Sequence, residues 1–555
     1  MPVEPDLILT NARVLTMDRE KPRARAVALV GAQILAVGAH TAIAPLAGSA
    51  TRVMDAGGRA LLPGFVESHL HLFAGGAELA QVQLAGVRGE AELTARVRAH
   101  AAGRDDRGIR CPAADCALQG EGPSTRAALD LVCPDRPLLS TAMDHHNVWA
   151  NTAALRGAGL FQGLATPPGS EVVMAADGPA SGELRKAAAF SPLLRLAGAE
   201  PGRPGLDIGG KPDQPPTPAE RAVDKAAIRA LLAHAARHGF TSIINMNGKL
   251  YTLELLAEIM ADGDLTARVK VPFHFRNPMD LSALETASGL AAGWQGDWLS
   301  SGSVKLFMDG VIDSRTALML NDYADQPGRR GEALFGAGHF AEIAVEADRR
   351  GLQIAVHAIG DGAVRRVLDG YGEALRANGR RDSRHRIEDA EPIDPADIPR
   401  FGTLGALPSI QPPHPPGAMD VPLEPTLTRF GRARRGDTYP WAALVGAGAR
   451  LCFASDWPVS DISALRGIPA ALTRQPWADG LPDHRIGLMA TLETSGLGGA
   501  YGEHMDHRKG RVSQGCLGDL VLLSRDIDAT PPDRIAALAV DLTLCDGRVT
   551  RGALA

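Results

Sequence analysis

Between about residue 58 and residue 505, short apolar runs alternate with helix-like stretches, and polar side chains stand just after the apolar runs. Alternation sustained over this length is the pattern of a parallel sheet wound with helices, and it predicts an α/β fold: an elaborated (β/α)8 TIM barrel with insertions. The runs fall at residues 61–66, 137–140, 241–244, 269–273, 303–307, 352–356, 385–389, 407–410 and 450–454, about one more than a barrel needs. Residues 218–237 read as a helix with Thr217 as its N-cap. The Pro- and Gly-dense stretch 200–218 reads as a surface loop.

The two ends of the chain are written differently. Residues 1–57 alternate like short strands joined by turns, and 506–555 return to the same style. This predicts one small β-sandwich built from both termini (1–57 and 506–555) around a barrel domain (58–505). A length of 555 residues is ample for that division.

Composition narrows the function classes. A net charge of −6 with dispersed Lys and Arg gives no nucleic-acid footprint. No window approaches 18 uninterrupted apolar residues, so no membrane partner is expected. Cys111, Cys116, Cys133, Cys452, Cys516 and Cys545 are scattered without a zinc-ribbon or disulfide framework. They read as free thiols of a reducing compartment. The acidic start, residues 1–6, has no apolar core for a signal peptide, and a cytoplasmic location is expected.

The polar residues after the runs carry the chemistry. His69 and His71 are spaced i, i+2, so in a strand both imidazoles emerge on one face and can chelate one divalent metal. Later runs offer Lys305 with Asp309 and Arg315 downstream, then His357, then Asp389, then Gln411 and His414, and finally Asp456. Taken singly, each has an ordinary explanation. A lysine in an apolar run can snorkel to the rim, a histidine can be a hydrogen-bonded core residue, and an aspartate can cap the next helix. Six in succession at strand ends supply the parts of a metal hydrolase: imidazole ligands, a desolvated lysine and a carboxylate base. A bound divalent metal lowers the pKa of water to roughly 7, where a nearby carboxylate can take the proton.

These residues resemble the amidohydrolase superfamily, and within it the YtcJ-like metal-dependent hydrolases that include N-substituted formamide deformylase. The resemblance runs over nearly the whole chain, through residues 11–18, the 63–71 segment ending in His69-Leu70-His71, and residues 304–310, 356–361 and 454–458. It implies one or two divalent ions, zinc foremost, with Asp389 shifting the site toward a single ion or toward an oxygen-rich second site that favours manganese. His69 and His71 would hold the more buried ion with Asp456, Lys305 would be a carboxylated bridging ligand, and His357 would serve a second ion. Lys186 is a weaker candidate for the carboxylated position. The segment with His146 and Trp149 is expected near the substrate, beside Asp309, Arg315, Gln411 and His414, with Trp149 and Trp457 flanking the site. A possible homodimer is expected by analogy. Where the family pattern reads Arg-Ile-Glu-His, this chain has Arg386-Ile387-Glu388-Asp389, so a carboxylate replaces the imidazole that completes a second metal site.

Three functions compete. The first is hydrolysis of an amide or formamide C–N bond in a small molecule, with Asp456 and His357 as catalytic groups. The second is a mononuclear deaminase acting on a C=N bond or an aromatic amine. The third is a catalytically impaired relative that keeps the fold for binding.

Overall fold

Phe65–Leu70 is buried along its whole length, and so is Phe240–Asn245 beside it. Strands covered on both faces have no polar side to alternate, which is why these segments are apolar runs. The computed structural model describes every residue except 1–2, 85–86, 88, 103–107, 115–124, 143–146, 167–169, 177, 186, 198–214, 249, 420 and 555. The described chain separates into two units, one of residues 1–71 with 232–555 and one of residues 72–231.

In the first unit eight parallel strands close a barrel. They are β1 (Phe65–Leu70), β2 (Phe240–Asn245), β3 (Arg268–Lys270, continued by Phe273–His274), β4 (Ser303–Phe307), β5 (Gln353–Ala358), β6 (Arg386–Asp389), β7 (Leu407–Ile410) and β8 (Cys452–Phe453). Each pairs with the next in parallel register. The ring closes where Leu70 pairs with Trp457, with Asp456 N donating to His69 O and His71 N to Trp457 O, both at 2.9 Å. That closure sets Asp456 beside the two histidines of β1.

The terminal segments form two further sheets in the same unit. One joins Gln33–Gly38, Ala26–Val30, Leu7–Thr10 and Arg52–Asp55; the other joins Arg548–Arg551, Val540–Cys545, Leu520–Leu523, Ala60–Pro63, Arg13–Leu15 and Arg23–Ala24. Their shared core contains Leu7, Leu9, Leu29, Leu61, Leu520 and Leu544. Ala60–Pro63, at the head of the stretch expected to be barrel, belongs to this sheet, and the barrel proper begins at Phe65. Gly239, at φ 84°, lets Val521 pack within reach of Phe65; a Cβ there would lie 2.8 Å from Val521.

Arg268, at the start of β3, ties barrel to terminal sheet. Its guanidinium donates to both oxygens of Asp519 (2.8 and 3.1 Å) and to Asp546 (2.6 Å), with Arg268 and Asp519 almost wholly buried. Arg268→Ala would leave the Asp519 carboxylate buried without its partner. Denaturant unfolding is expected to show a loss of about 3–5 kcal/mol.

The second unit holds a five-stranded sheet in the order Glu171–Met174, Ala180–Arg185, Asn147–Ala150, Leu138–Ala142, Ile109–Ala114. Here lies the surplus apolar run at residues 137–140. Leu138 packs into one apolar cluster with Ile109 and Trp149, while Leu139 packs into another with Val148 and Leu184. A central strand covered on both faces reads like a barrel strand, which accounts for the excess in the count. The chain leaves this unit by helix Pro218–Arg237, where Thr217 and Glu220 form a capping box: Glu220 N donates to Thr217 Oγ1 (3.3 Å) and Thr217 N to Glu220 Oε2 (2.7 Å). Among the described residues no helix is long and apolar enough to cross a membrane. Cys111, Cys133, Cys452, Cys516 and Cys545 are free thiols; Cys116 lies outside the described residues.

Candidate metal centre

Glu67, His69 and His71 occupy alternate positions of β1 and its exit, so their side chains share a face. His69 Nε2 lies 3.3 Å and His71 Nε2 3.0 Å from the same oxygen of Asp456, Oδ1. Three donor atoms, one from each residue, lie within 4.8 Å of one another, and among the described residues this is the one such group of His, Cys, Asp or Glu. Two imidazoles and a carboxylate are a donor set that suits zinc.

The surroundings prepare His69 as a ligand. Its Nδ1 donates to Glu388 Oε2 at 3.0 Å, which leaves the Nε2 lone pair directed at Asp456. Burial, reinforced by nearby Lys305, lowers the His69 pKa, so the ring is held neutral. Glu388 is in turn gripped by Arg386 through both oxygens (2.7 and 3.0 Å). Burial would raise the Glu388 pKa, but Arg386 and the His69 hydrogen bond hold it at about 2. Arg386 also donates to Ser68 O and Ser409 Oγ. Beneath them Glu67 Oε1 accepts from His69 N (3.1 Å) and Ser455 N (3.0 Å), clamping β1 to the segment that carries Asp456; burial pushes its pKa to about 8.

Lys305, inside β4, is fully buried, and its Nζ has no hydrogen-bond partner; it sits 4.9 Å from the centre of the Phe307 ring. Burial lowers its pKa against the opposing pull of Glu388, Asp389 and Asp456. An unpartnered buried amine among carboxylates is suited to a further group bound on nitrogen.

His357 and Asp389 are spent on each other. His357 Nδ1 lies 2.5 Å from Asp389 Oδ2, an ion-pair contact, and Nε2 faces the Gly310 carbonyl at 3.1 Å. With an oxygen beside each nitrogen, the protonated ring is favoured. Burial opposes this, but the neighbouring Asp389 prevails and raises the pKa to about 9. The other Asp389 oxygen accepts from Gln411 Nε2 at 2.7 Å. Asp389 adopts φ 77° and Asp456 φ 56°, left-handed conformations that aspartate tolerates better than most residues. At Asp389 this turn breaks the strand's alternation, and consecutive carboxylates Glu388 and Asp389 both find partners inside the barrel.

Several residues expected at the substrate have other duties. Asp309 accepts backbone N–H bonds from Leu318, Ile359 and Gly360, pinning the loop after β4 to the turn after β5. Arg315 is bound to Asp325 at 2.5 Å, and Gln411 to Asp389. Trp149 is buried in the apolar core of the second unit, and the Trp457 ring lies 5.5 Å from that of His234. His146 and Lys186 lie outside the described residues. His414 fits better: its Nε2 is buried without a partner, and it feels the charges of Asp456 and Asp389 while burial lowers its pKa. Glu67, Arg386 and Glu388 support the site without being among its expected residues. The period of two was their signal, since Glu67 aligns with His69, and Arg386 with Glu388.

A closed parallel barrel that gathers imidazoles and carboxylates at its strand ends is the architecture of a metal-dependent hydrolase. The profile of the amidohydrolase family matches residues 52–551, and the chain belongs to that family of hydrolases. It is 29% identical over 540 residues to the protein LONG AFTER FAR-RED 3 of Arabidopsis thaliana, covering 94% of this chain and 87% of that one. It is 26% identical over 571 residues to the N-substituted formamide deformylase of Arthrobacter pascens, covering 98% and 97%. Its fold is shared with an uncharacterized metal-dependent hydrolase from Pyrococcus horikoshii, with a TM-score of 0.72 at 22% identity, covering 95% of this chain and 99% of that one.

Proposed function

We propose that this protein is a metal-dependent hydrolase that cleaves a non-peptide C–N bond, an amide or formamide, in a small molecule, and that it works with one divalent ion. The observation that carries the reading is the single three-donor group of His69, His71 and Asp456. The similarity to a formamide deformylase supports the bond type. Zinc or manganese held by these residues would supply a Lewis acid and lower the pKa of water.

The chain's own groups do the rest. Asp456 takes a proton from the attacking water and returns it to the leaving nitrogen. His414, with an unpartnered Nε2, is the imidazole left to contact the substrate. The His357 cation, fixed between Asp389 and Gly310, adds positive potential where an oxyanion develops. Lys305 is the residue whose neutral amine would add to CO2, losing a proton, to become a carbamate.

The one-ion reading rests on the His357–Asp389 pair, which takes up the donors a second ion would need. Metal analysis is expected to find one equivalent per chain, and Asp389→His is expected to approach two. Two equivalents in the unmodified protein would sink the one-ion reading. A panel of N-substituted formamides and amides, followed by amine release, tests the bond type. The same one-ion set favours a deaminase as the second reading, and ammonia released from a C=N or aromatic amine substrate would select it. Failure to retain any metal after expression with zinc and manganese would leave the binding-only relative.

A further inference from the structure

The barrel has a cavity at the end away from the metal centre, where β3 and β5 begin. Its volume is about 540 Å3, within the range of small-molecule sites, and its wall includes Lys270, Gln353, Arg381, Glu503 and Lys509. The acids around it already have cations. Asp297 pairs with Arg508 at 2.8 Å, Asp382 with Arg384 at 2.7 Å, and Glu503 with Lys509. Arg268, also in the wall, is held by Asp519 and Asp546.

Lys270 differs from these. It is only 6% exposed, and its Nζ donates to Gln353 Oε1 at 2.9 Å, an uncharged amide. The charges that act on it are those of Arg386, Lys509 and Arg384 against Glu503. Gln353 cannot turn to serve it better, because its own Nε2 donates to Arg384 O (2.7 Å) and Gly502 O (2.8 Å). An ammonium buried in a cavity wall, hydrogen-bonded only to a neutral amide and sharing its one acting carboxylate, Glu503, with Lys509, is the half of an ion pair that a ligand completes.

We propose that this cavity binds a small oxyanion, a phosphate or a carboxylate, on Lys270, with Arg381 at its rim. Burial lowers the Lys270 pKa to about 8, so the group still carries its proton at neutral pH and a bound anion would hold it there. The site is independent of the metal reading, since none of its wall residues belongs to the metal centre.

The test is calorimetric titration of the full chain with inorganic phosphate and, separately, with malonate, at pH 7 and constant ionic strength in chloride. Each titration is repeated after EDTA treatment, which separates this site from anions bound at the metal. Saturable binding of either anion on the order of 1 mM or tighter, unchanged by EDTA, is expected. Lys270→Met should weaken it by about tenfold or more, the loss of a charge-assisted hydrogen bond. Arg381 also pairs with Asp348 at 3.6 Å, so Arg381→Glu should lower the unfolding midpoint while leaving the protein folded; it should weaken binding too, and it decides the matter if Lys270→Met does not fold. Absence of binding by both anions, loss of binding with EDTA, or equal affinity in Arg381→Glu and the unmodified protein would overturn the proposal. Preference for phosphate or for malonate identifies which oxyanion the cavity takes.

Discussion

Asp456→Asn is expected to reduce turnover by about 10²–10⁴-fold on whichever amide or formamide the panel identifies, with no change in the unfolding midpoint. Asparagine keeps the shape of the side chain and tolerates the left-handed backbone at this position, φ 56°. It also keeps an oxygen that can lie near the two histidines, now 3.0 and 3.3 Å from Oδ1. What it cannot do is accept a proton. Metal content at saturating zinc is therefore expected to persist through His69 and His71 while kcat collapses. Near-normal turnover would remove Asp456 as the base, and a loss of metal matching the loss of activity would make it chiefly a ligand.

Much of this site was legible because a barrel converts strand position into spatial position. His69, His357 and Asp456 stand at or near the ends of β1, β5 and β8, with Lys305 inside β4, so apolar runs sufficed to place them in one barrel. The inserted unit was harder to read, because residues 137–140 are as apolar as a barrel strand and only the pairing partners distinguish them. Substrate contacts were the least legible. Asp309, Arg315 and Gln411 have the right residue types in the right segments, yet each is committed to a neighbour within the protein. Whether a polar side chain faces a ligand or a backbone amide depends on loop geometry that spacing does not encode.

Asp389 shows both sides of this. The sequence marks it as the departure from the family pattern, and the chemistry of a carboxylate for an imidazole follows directly. Its partnership with His357 does not follow, because consecutive strand residues should face opposite ways. The left-handed backbone at Asp389 is what allows it, and no residue-type signal short of the structure announces that turn.

Glu388→Ala is expected to have a large effect on the fold and a separate effect on the metal. Glu388 and Arg386 are both buried, and removal of the carboxylate leaves a guanidinium with Ser68 O and Ser409 Oγ but no hydrogen-bonded counter-charge. A loss of about 3–5 kcal/mol in denaturant unfolding is expected. His69 also loses the acceptor that fixes its ring, and zinc affinity by chelator competition should fall by about 10–100-fold. The double change Arg386→Leu/Glu388→Leu separates the two effects. With both charges gone the stability should largely return, since an apolar pair can replace a buried ion pair at little cost. The zinc affinity should not return, because it depends on the Glu388 hydrogen bond to His69 Nδ1 and not on the ion pair. Recovery of both together would mean that Glu388 acts on the metal centre only by holding the barrel closed.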